Sequence, residues 1–127
     1  MKRGFTLLEL IIVIIILGVL ATLGFTQYVK VVEKGRSAEA KAILGDIRTG
    51  QMAYHLENNA FATSLDYLPV SAPTSATNTH YFIYAATGTN ATATRLTTGG
   101  KPPTGQVAYT ISIDYSAGTF GGSAGYY

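Results

Sequence analysis

One acidic residue stands inside a long apolar stretch near the N-terminus. Glu9 follows the sequence Gly-Phe-Thr-Leu-Leu and precedes Leu10. A carboxylate at or near hydrocarbon depth is unfavourable by a few kcal/mol, so it indicates a function and needs a partner. A second interpretation is that Glu9 only lies near the start of a helix, where the macrodipole favours negative charge. Both interpretations require a helix that begins close to this residue.

The remaining residue types offer little for catalysis. The two histidines, His55 and His80, are far apart in the sequence and have no acidic cluster beside them. There are no cysteines, which excludes disulfides, thiolate metal sites and cysteine nucleophiles. Neither a nucleophile elbow nor a phosphate-binding G-x-x-x-x-G-K-[ST] loop occurs. We therefore expect no enzyme, no cofactor and no bound metal.

The composition limits the remaining classes of protein. A chain of 127 residues has room for one modest domain. Hydrophobic residues make up 47% and charged residues only 13%, and most of the charges lie in the first 57 residues. A nucleic-acid-binding protein needs a basic patch. The net charge of +2 and the sparsely charged second half argue against nucleic acid as a partner.

The apolar stretch is long enough to cross a membrane. No charge occurs from Leu10 to Val29, and a helix of that length spans about 30 Å, the thickness of a bilayer's hydrocarbon core. Lys2 and Arg3 precede it, which predicts a cytoplasmic N-terminus. A secretory signal peptide would have an apolar core of about 7–15 residues and a small-residue cleavage site. The run instead continues to Val29 without such a site.

The first residues resemble a known processing signal. Residues 2–10, Lys-Arg-Gly-Phe-Thr-Leu-Leu-Glu-Leu, are similar to the class III signal of type IV prepilins and of type II secretion pseudopilins. The shared pattern is a basic leader ending in glycine, then an aromatic residue, Thr, two aliphatic residues and Glu, all opening a long apolar helix. The similarity is dense over residues 2–25 and looser to about residue 69. Gly18 coincides with a common glycine of the family helix, and Thr26 replaces a frequent proline.

The resemblance implies processing and assembly residues. A membrane-embedded prepilin peptidase would cut after Gly4, removing the leader 1–4, and Phe5 would become the N-methylated first residue. Thr6 and Glu9 would act in assembly. The implied packing residues of the filament core are Leu7, Leu8, Leu10, Gly18 and Phe25.

Within this family resemblance, Glu9 acquires a partner. Cleavage creates a positive amine at Phe5, which would be buried when helices pack into a filament. An unpaired buried charge is very unfavourable and a paired one is tolerable. We expect Glu9 to neutralise the amine of the neighbouring subunit and so to select the register in which a subunit joins.

The helix is predicted to continue from about Phe5 to Glu57, apolar all round at first and amphipathic later. Asn58 and Asn59 predict the end of the helix, since asparagine tolerates the left-handed C-terminal position. Gly35, Gly45 and Gly50 each cost about 1 kcal/mol in a helix and predict a bend or a break. Apolar residues at a spacing of three and four form one stripe: Ala40, Ile43, Leu44, Ile47 and Tyr54.

The C-terminal half is predicted to form a small antiparallel sheet. We expect strands at 81–85, 92–97 and 107–115, the last from its strict alternation of apolar and polar residues. Residues 118–127 are predicted to be a glycine-rich tail. The helix stripe would cover one face of the sheet, so the predicted fold class is α+β, a long helix packed on a small antiparallel sheet, similar to type IV pilins.

These observations predict three segments: a leader at 1–4, a transmembrane and filament-core helix at 5–29, and a globular pilin domain at 30–127. The predicted protein is a pilin, stored in the inner membrane with a cytoplasmic N-terminus and then polymerised into an extracellular surface filament. Its partners would be further copies of itself, prepilin peptidase and the pilus or secretion machinery. Adhesion, motility, DNA uptake, secretion and electron transfer are all compatible with this anchor.

Two alternatives stay open. One is a pseudopilin of type II secretion, although such proteins usually carry an acidic calcium loop near the C-terminus and no acid follows Asp114 here. The other is a bitopic, membrane-anchored binding domain that never polymerises.

Overall fold

The computed structural model describes residues 4–104 and 107–127. The elements are one long helix, a short 3-10 helix and four strands. Their bounds are α1 Leu7–Asn58, the 3-10 helix Leu65–Tyr67, β1 Phe82–Ala86, β2 Asn90–Arg95, β3 Thr110–Asp114 and β4 Phe120–Gly122. The chain divides after Glu33 into two compact units. The predicted fold class is confirmed: one long N-terminal helix packs on a four-stranded antiparallel sheet.

Within the second unit, α1 buries the predicted stripe. Ala40, Leu44 and Ile47 have no exposed surface and join one hydrophobic core with the sheet. The expected break at the glycines does not occur: α1 is continuous through Gly35, Gly45 and Gly50. Packing of an amphipathic face outweighs a propensity cost of about 1 kcal/mol per glycine.

The four strands lie in sequence order and every neighbouring pair is antiparallel. Phe82 at the start of β1 pairs with Arg95 at the end of β2, and Ala93 pairs with Ile111 of β3. Burial alternates along β2, where Ala91, Ala93 and Arg95 are buried. This is the pattern of a sheet with one covered face.

The strand ends differ from the sequence prediction by a few residues. The predicted strands 81–85 and 92–97 become β1 and β2, joined by a turn from Thr87 to Asn90, where the Thr87 N–H donates to the Asn90 carbonyl at 2.8 Å. The third predicted strand, 107–115, shortens to β3. Cross-strand pairing, rather than local alternation, determines where a strand begins and ends.

The glycine-rich tail contains a strand that the sequence did not predict. Its residues pair with β3, Ile113 lying opposite Phe120 and Ile111 opposite Gly122. Gly122 has a φ of 126°, and a Cβ there would overlap the Thr110 carbonyl group, so only glycine fits this close approach. Glycines usually weaken a strand, which is why the sequence indicated a tail.

A buried cation holds the loop after β2. Arg95 is 1% exposed, and its Nη1 donates to the carbonyl oxygens of Tyr81 at 3.2 Å and Leu96 at 3.1 Å. Its Nη2 donates to the carbonyl oxygen of Pro103 at 3.2 Å. Hydrogen bonds from a charged donor are stronger than neutral ones, so these contacts fix the loop to the edge of the sheet.

Asp114 orders the turn after β3 and makes it sensitive to acid. Its Oδ1 accepts from the Ala117 N–H at 2.8 Å and from the Ser116 hydroxyl at 2.7 Å. The bond from the Ala117 backbone, then the Ser116 hydroxyl, and more weakly the charge of Arg48, hold the pKa of Asp114 below its usual value. The folded state therefore gains stability above pH about 4 and loses it as the pH falls through the lowered pKa.

We expect Asp114→Asn to weaken this acid dependence. The drop in Tm between pH 6 and pH 3 should be smaller in the variant than in the natural chain, because the variant has no carboxylate to protonate. Thermal unfolding of the full chain in detergent, followed by circular dichroism, measures both drops. Equal drops in the two proteins would contradict the role of Asp114.

Candidate functional site

The start of α1 is built by Thr6 and Glu9. Glu9 Oε2 accepts from the Thr6 backbone N–H at 2.8 Å and from the Thr6 hydroxyl at 2.8 Å. In return, the Glu9 N–H donates to Thr6 Oγ1 at 3.2 Å. This reciprocal pair is a capping box, which satisfies N–H groups that have no acceptor inside the helix. The helix consequently begins at Leu7 and not at Phe5 as expected.

This capping box was not predicted, although its signal, Thr-x-x-Glu before an apolar run, is present in the sequence. The geometry supports the interpretation that Glu9 lies in the first turn of a helix. It also leaves room for the other interpretation, because an ionised carboxylate offers about four acceptor positions. Both hydrogen bonds from Thr6 end on Oε2, and among residues 4–104 and 107–127 no group donates to Oε1.

The predicted cleavage position lies just ahead of the helix. Gly4 and Phe5 are exposed, and Phe5 keeps 87% of its surface. A Cβ built on Gly4 would lie more than 4 Å from every described residue other than its neighbours in the chain. The peptide bond between these residues is thus sterically open within the described chain. The rest of the predicted leader, residues 1–3, lies outside the described residues.

The predicted packing residues form an uncovered apolar surface. The exposed fractions are 77% for Leu7, 68% for Leu8, 57% for Leu10 and 68% for Phe25, and Gly18 is also exposed. Among the described residues, α1 is long and apolar enough to cross a membrane, and none of that window is buried. An apolar surface of this extent indicates contact with lipid or with protein.

The two threonines near the end of this segment form hydrogen bonds within the helix. The Thr22 hydroxyl donates to the Gly18 carbonyl at 2.6 Å, and the Thr26 hydroxyl donates to the Leu23 carbonyl at 3.0 Å. Such bonds allow threonine in an environment that contains no water. The helix is unbroken at Thr26, which replaces a proline frequent in the family that residues 2–10 resemble.

The two histidines, His55 and His80, lie in different surroundings. His80 lines an open cavity of about 220 Å³ together with Glu39 and Tyr84, whereas the His55 ring stacks on Phe61 at 4.5 Å. Burial, reinforced by the Glu39 carboxylate, raises the pKa of Tyr84, so its phenol stays protonated. In the chain outside residues 1–3, 105 and 106, no three His, Cys, Asp or Glu residues gather as a possible metal site.

Two family models match the chain, and they fit the two parts of this architecture. The Prokaryotic N-terminal methylation motif matches residues 1–25, and Type IV pilin-like G and H matches residues 37–117. The second match covers more than half of the sequence, and the long helix packed on an antiparallel sheet agrees with it. The chain belongs to the type IV pilin-like family, which is structural rather than enzymatic. The resemblance expected from residues 2–10 is confirmed.

Two relatives of this chain have names that agree with this family. Type IV major pilin protein PilA of Myxococcus xanthus (strain DK1622) is 34% identical over 71 residues, which are 54% of this chain and 32% of that protein. Fimbrial protein EcpC of Eikenella corrodens is 29% identical over 100 residues, which are 77% of this chain and 65% of that protein. The chain therefore spans about a third of the length of the first relative and just under two thirds of the second.

Proposed function

We propose that this chain is the structural subunit, the major pilin, of a type IV pilus-like surface filament. The exposed helix from Leu7 to Phe25 supports this proposal. Its surface is mostly apolar on every side, so it can contact either lipid or neighbouring helices. Residues 5–29 serve as the membrane anchor before assembly and as the filament core after it. Residues 30–127 form the globular domain carried on the outside.

The precursor waits in the inner membrane and is then processed. Lys2 and Arg3 keep the N-terminus in the cytoplasm. Prepilin peptidase cuts after Gly4, and Phe5 is N-methylated. The match to the methylation motif and the exposure of both residues support these steps. Loss of the leader leaves equal numbers of basic and acidic side chains in the mature chain.

Glu9 then directs assembly. The new amine at Phe5 enters the helix-packed core, where an uncompensated charge is strongly unfavourable. The observation that carries this step is the position of the Glu9 carboxylate, in the first turn of α1 among exposed leucines, with only one oxygen used by the capping box. The other oxygen, Oε1, accepts a hydrogen bond from the Phe5 amine of a neighbouring subunit. This ion pair sets the register in which a new subunit joins the filament.

The test is the N-terminal state of the chain in filaments sheared from cells. We expect electron microscopy to show filaments, and tandem mass spectrometry of the same material to find this chain beginning at singly methylated Phe5. A chain that retains Met1 and stays in the membrane would contradict the proposal and favour the bitopic domain. A chain processed to Phe5 but absent from surface filaments would favour the pseudopilin.

A further inference from the structure

The charged side chains of the second unit are sorted by sign between its two ends. At one end, three cations surround a single aromatic ring. The Arg36 and Arg95 guanidinium carbons lie 4.9 and 5.2 Å from the centroid of Tyr81, and Lys101 Nζ lies 5.0 Å from it. Lys34 is exposed less than one helical turn before Arg36. We call Lys34, Arg36 and Lys101, together with the buried Arg95, the basic end; its exposed charges are those of Lys34 and Lys101.

The acids lie at the other end of the same elements. Arg95 closes β2, whereas Asp114 pairs with Asn90 at the opposite end of that strand, about 17 Å away. The hydroxyl of the following residue, Tyr115, accepts a hydrogen bond at 3.2 Å from Nε2 of Gln51, which lies in the C-terminal part of α1. The strand end with Asp114 and the last turns of α1 therefore belong to one end of the unit.

Two exposed acids complete this end. Glu57 lies in the last turn of α1, about 30 Å along the helix from Arg36. Asp66 lies in the 3-10 helix, whose Tyr67 ring is 6.4 Å from that of Tyr54 on α1. We call Glu57, Asp66 and Asp114 the acidic end.

The sorting by sign is incomplete, because Arg48 also reaches the acidic end: its Nε donates to the Tyr115 carbonyl at 3.0 Å and its charge lowers the pKa of Asp114. The remaining charged residues of the unit, Glu39, Lys41 and Asp46, include both signs. The Tyr81 ring attracts the three cations around it, but the like charges at each end still repel one another within a screening length of about 10 Å. The arrangement becomes favourable when each end meets charge of the opposite sign.

We propose that the basic end of one copy contacts the acidic end of the next copy along the filament. This inference rests on the proposed filament function and names the contact between its outer domains. A head-to-tail contact needs two different, complementary surfaces on the same chain, and its repetition produces a helical filament. The partner is a second copy because both complementary surfaces are present on one chain in a filament that repeats it. Such a contact gives direction and specificity, which uniform apolar helices cannot supply.

Charge reversal tests this contact in cells that express the full chain. Lys34→Glu with Lys101→Glu reverses the basic end, and Glu57→Lys with Asp66→Lys reverses the acidic end; all four side chains are exposed. We expect either pair to lower the yield of sheared filaments by about tenfold. The combination of all four restores complementarity and should return the yield to within about twofold of the natural chain. Lys101→Arg with Asp66→Glu, which keeps both charges, is the matched control.

Two measurements separate assembly from folding. Immunoblotting of membranes should find unchanged amounts of each variant, and filaments of the natural chain should release more subunits in high salt, because exposed charges are screened. A normal filament yield from either reversed pair would overturn the inference. So would a variant with all four substitutions whose filament yield stays as low as that of the pairs. Either result would leave the proposed function intact, because the natural chain would still form filaments. If the natural chain formed no filaments, the proposed function itself would be wrong.

Discussion

Glu9→Val will leave membrane insertion and cleavage after Gly4 intact but will lower the yield of sheared filaments on the order of a hundredfold. The physical reason is the Phe5 amine, which enters the filament core with no carboxylate to meet it. Removing one partner of a buried ion pair costs about 3–5 kcal/mol, and each 1.4 kcal/mol is a factor of about ten. Quantitative immunoblotting of sheared and membrane fractions measures the ratio of assembled to stored subunit.

Because Glu9 also caps its helix, two further variants are needed to separate the charge from the cap. Glu9→Gln can keep the capping geometry, since glutamine occupies the same position in natural capping boxes, but it removes the charge. We expect it to lose filaments as Glu9→Val does. Thr6→Ala removes the cap, worth about 1 kcal/mol, and keeps the charge, so its loss should be much smaller. Normal assembly of Glu9→Gln would reduce Glu9 to a helix cap.

Gln51→Leu will destabilise the globular unit by about 2–6 kcal/mol. The Gln51 side chain is fully buried; its Nε2 donates to the Ala62 carbonyl and its Oε1 accepts from the Ala62 N–H, both at 2.8 Å. The same Nε2 lies 3.2 Å from the Tyr115 hydroxyl. Leucine has a similar size but leaves both backbone groups of a 2% exposed residue without partners, and each unpaired group costs about 1–3 kcal/mol.

The measurement is thermal unfolding of the full chain in detergent, monitored by circular dichroism. A loss of this size lowers Tm by more than about 10 °C in a domain of roughly 90 residues. Thr49→Ala is the matched control, because Thr49 is exposed on the same helix and its hydroxyl bonds only to the Gly45 carbonyl at 3.1 Å. We expect its Tm to change by less than about 3 °C. Equal Tm values for Gln51→Leu and Thr49→Ala would contradict the role of Gln51.

The features that follow from local pattern could be predicted from the sequence. The apolar run and the later stripe with Leu44 and Ile47 define a single long helix, because spacing of three and four residues is decided within one element. The alternation before Tyr115 likewise indicated β3. The residues predicted for processing and assembly, such as Gly4 and Glu9, lie at the start of this helix and ahead of it, where their roles remain proposals.

Features that depend on a distant partner could not be predicted. Gln51 continues the buried stripe, but nothing local indicates that its amide meets the backbone of Ala62. The strand β4 exists because β3 offers an edge, and its glycines argue locally against it. Arg95 and Asp114 lie at opposite ends of the sheet, but this follows only from the register of β2 and β3, which the sequence alone does not give.

Two kinds of contact thus divide the work of assembly in this account. In the proposed filament, burial of the apolar helix would supply most of the attraction, but it is non-directional. The proposed pairing of Glu9 with a neighbour's amine and the proposed contact between basic and acidic ends would supply register and direction, as electrostatic complementarity does at other interfaces. Filaments of the Glu9→Val chain should therefore be rare even though its apolar surface is undiminished.

The most direct measurement is the structure of the native filament by electron cryomicroscopy at side-chain resolution. We predict that a Glu9 carboxylate oxygen lies within about 4 Å, the ion-pair distance, of the methylated Phe5 nitrogen of a neighbouring subunit, in a core without water. A Glu9 carboxylate that faces solvent, or one that meets only the Phe5 nitrogen of its own chain, would contradict the account.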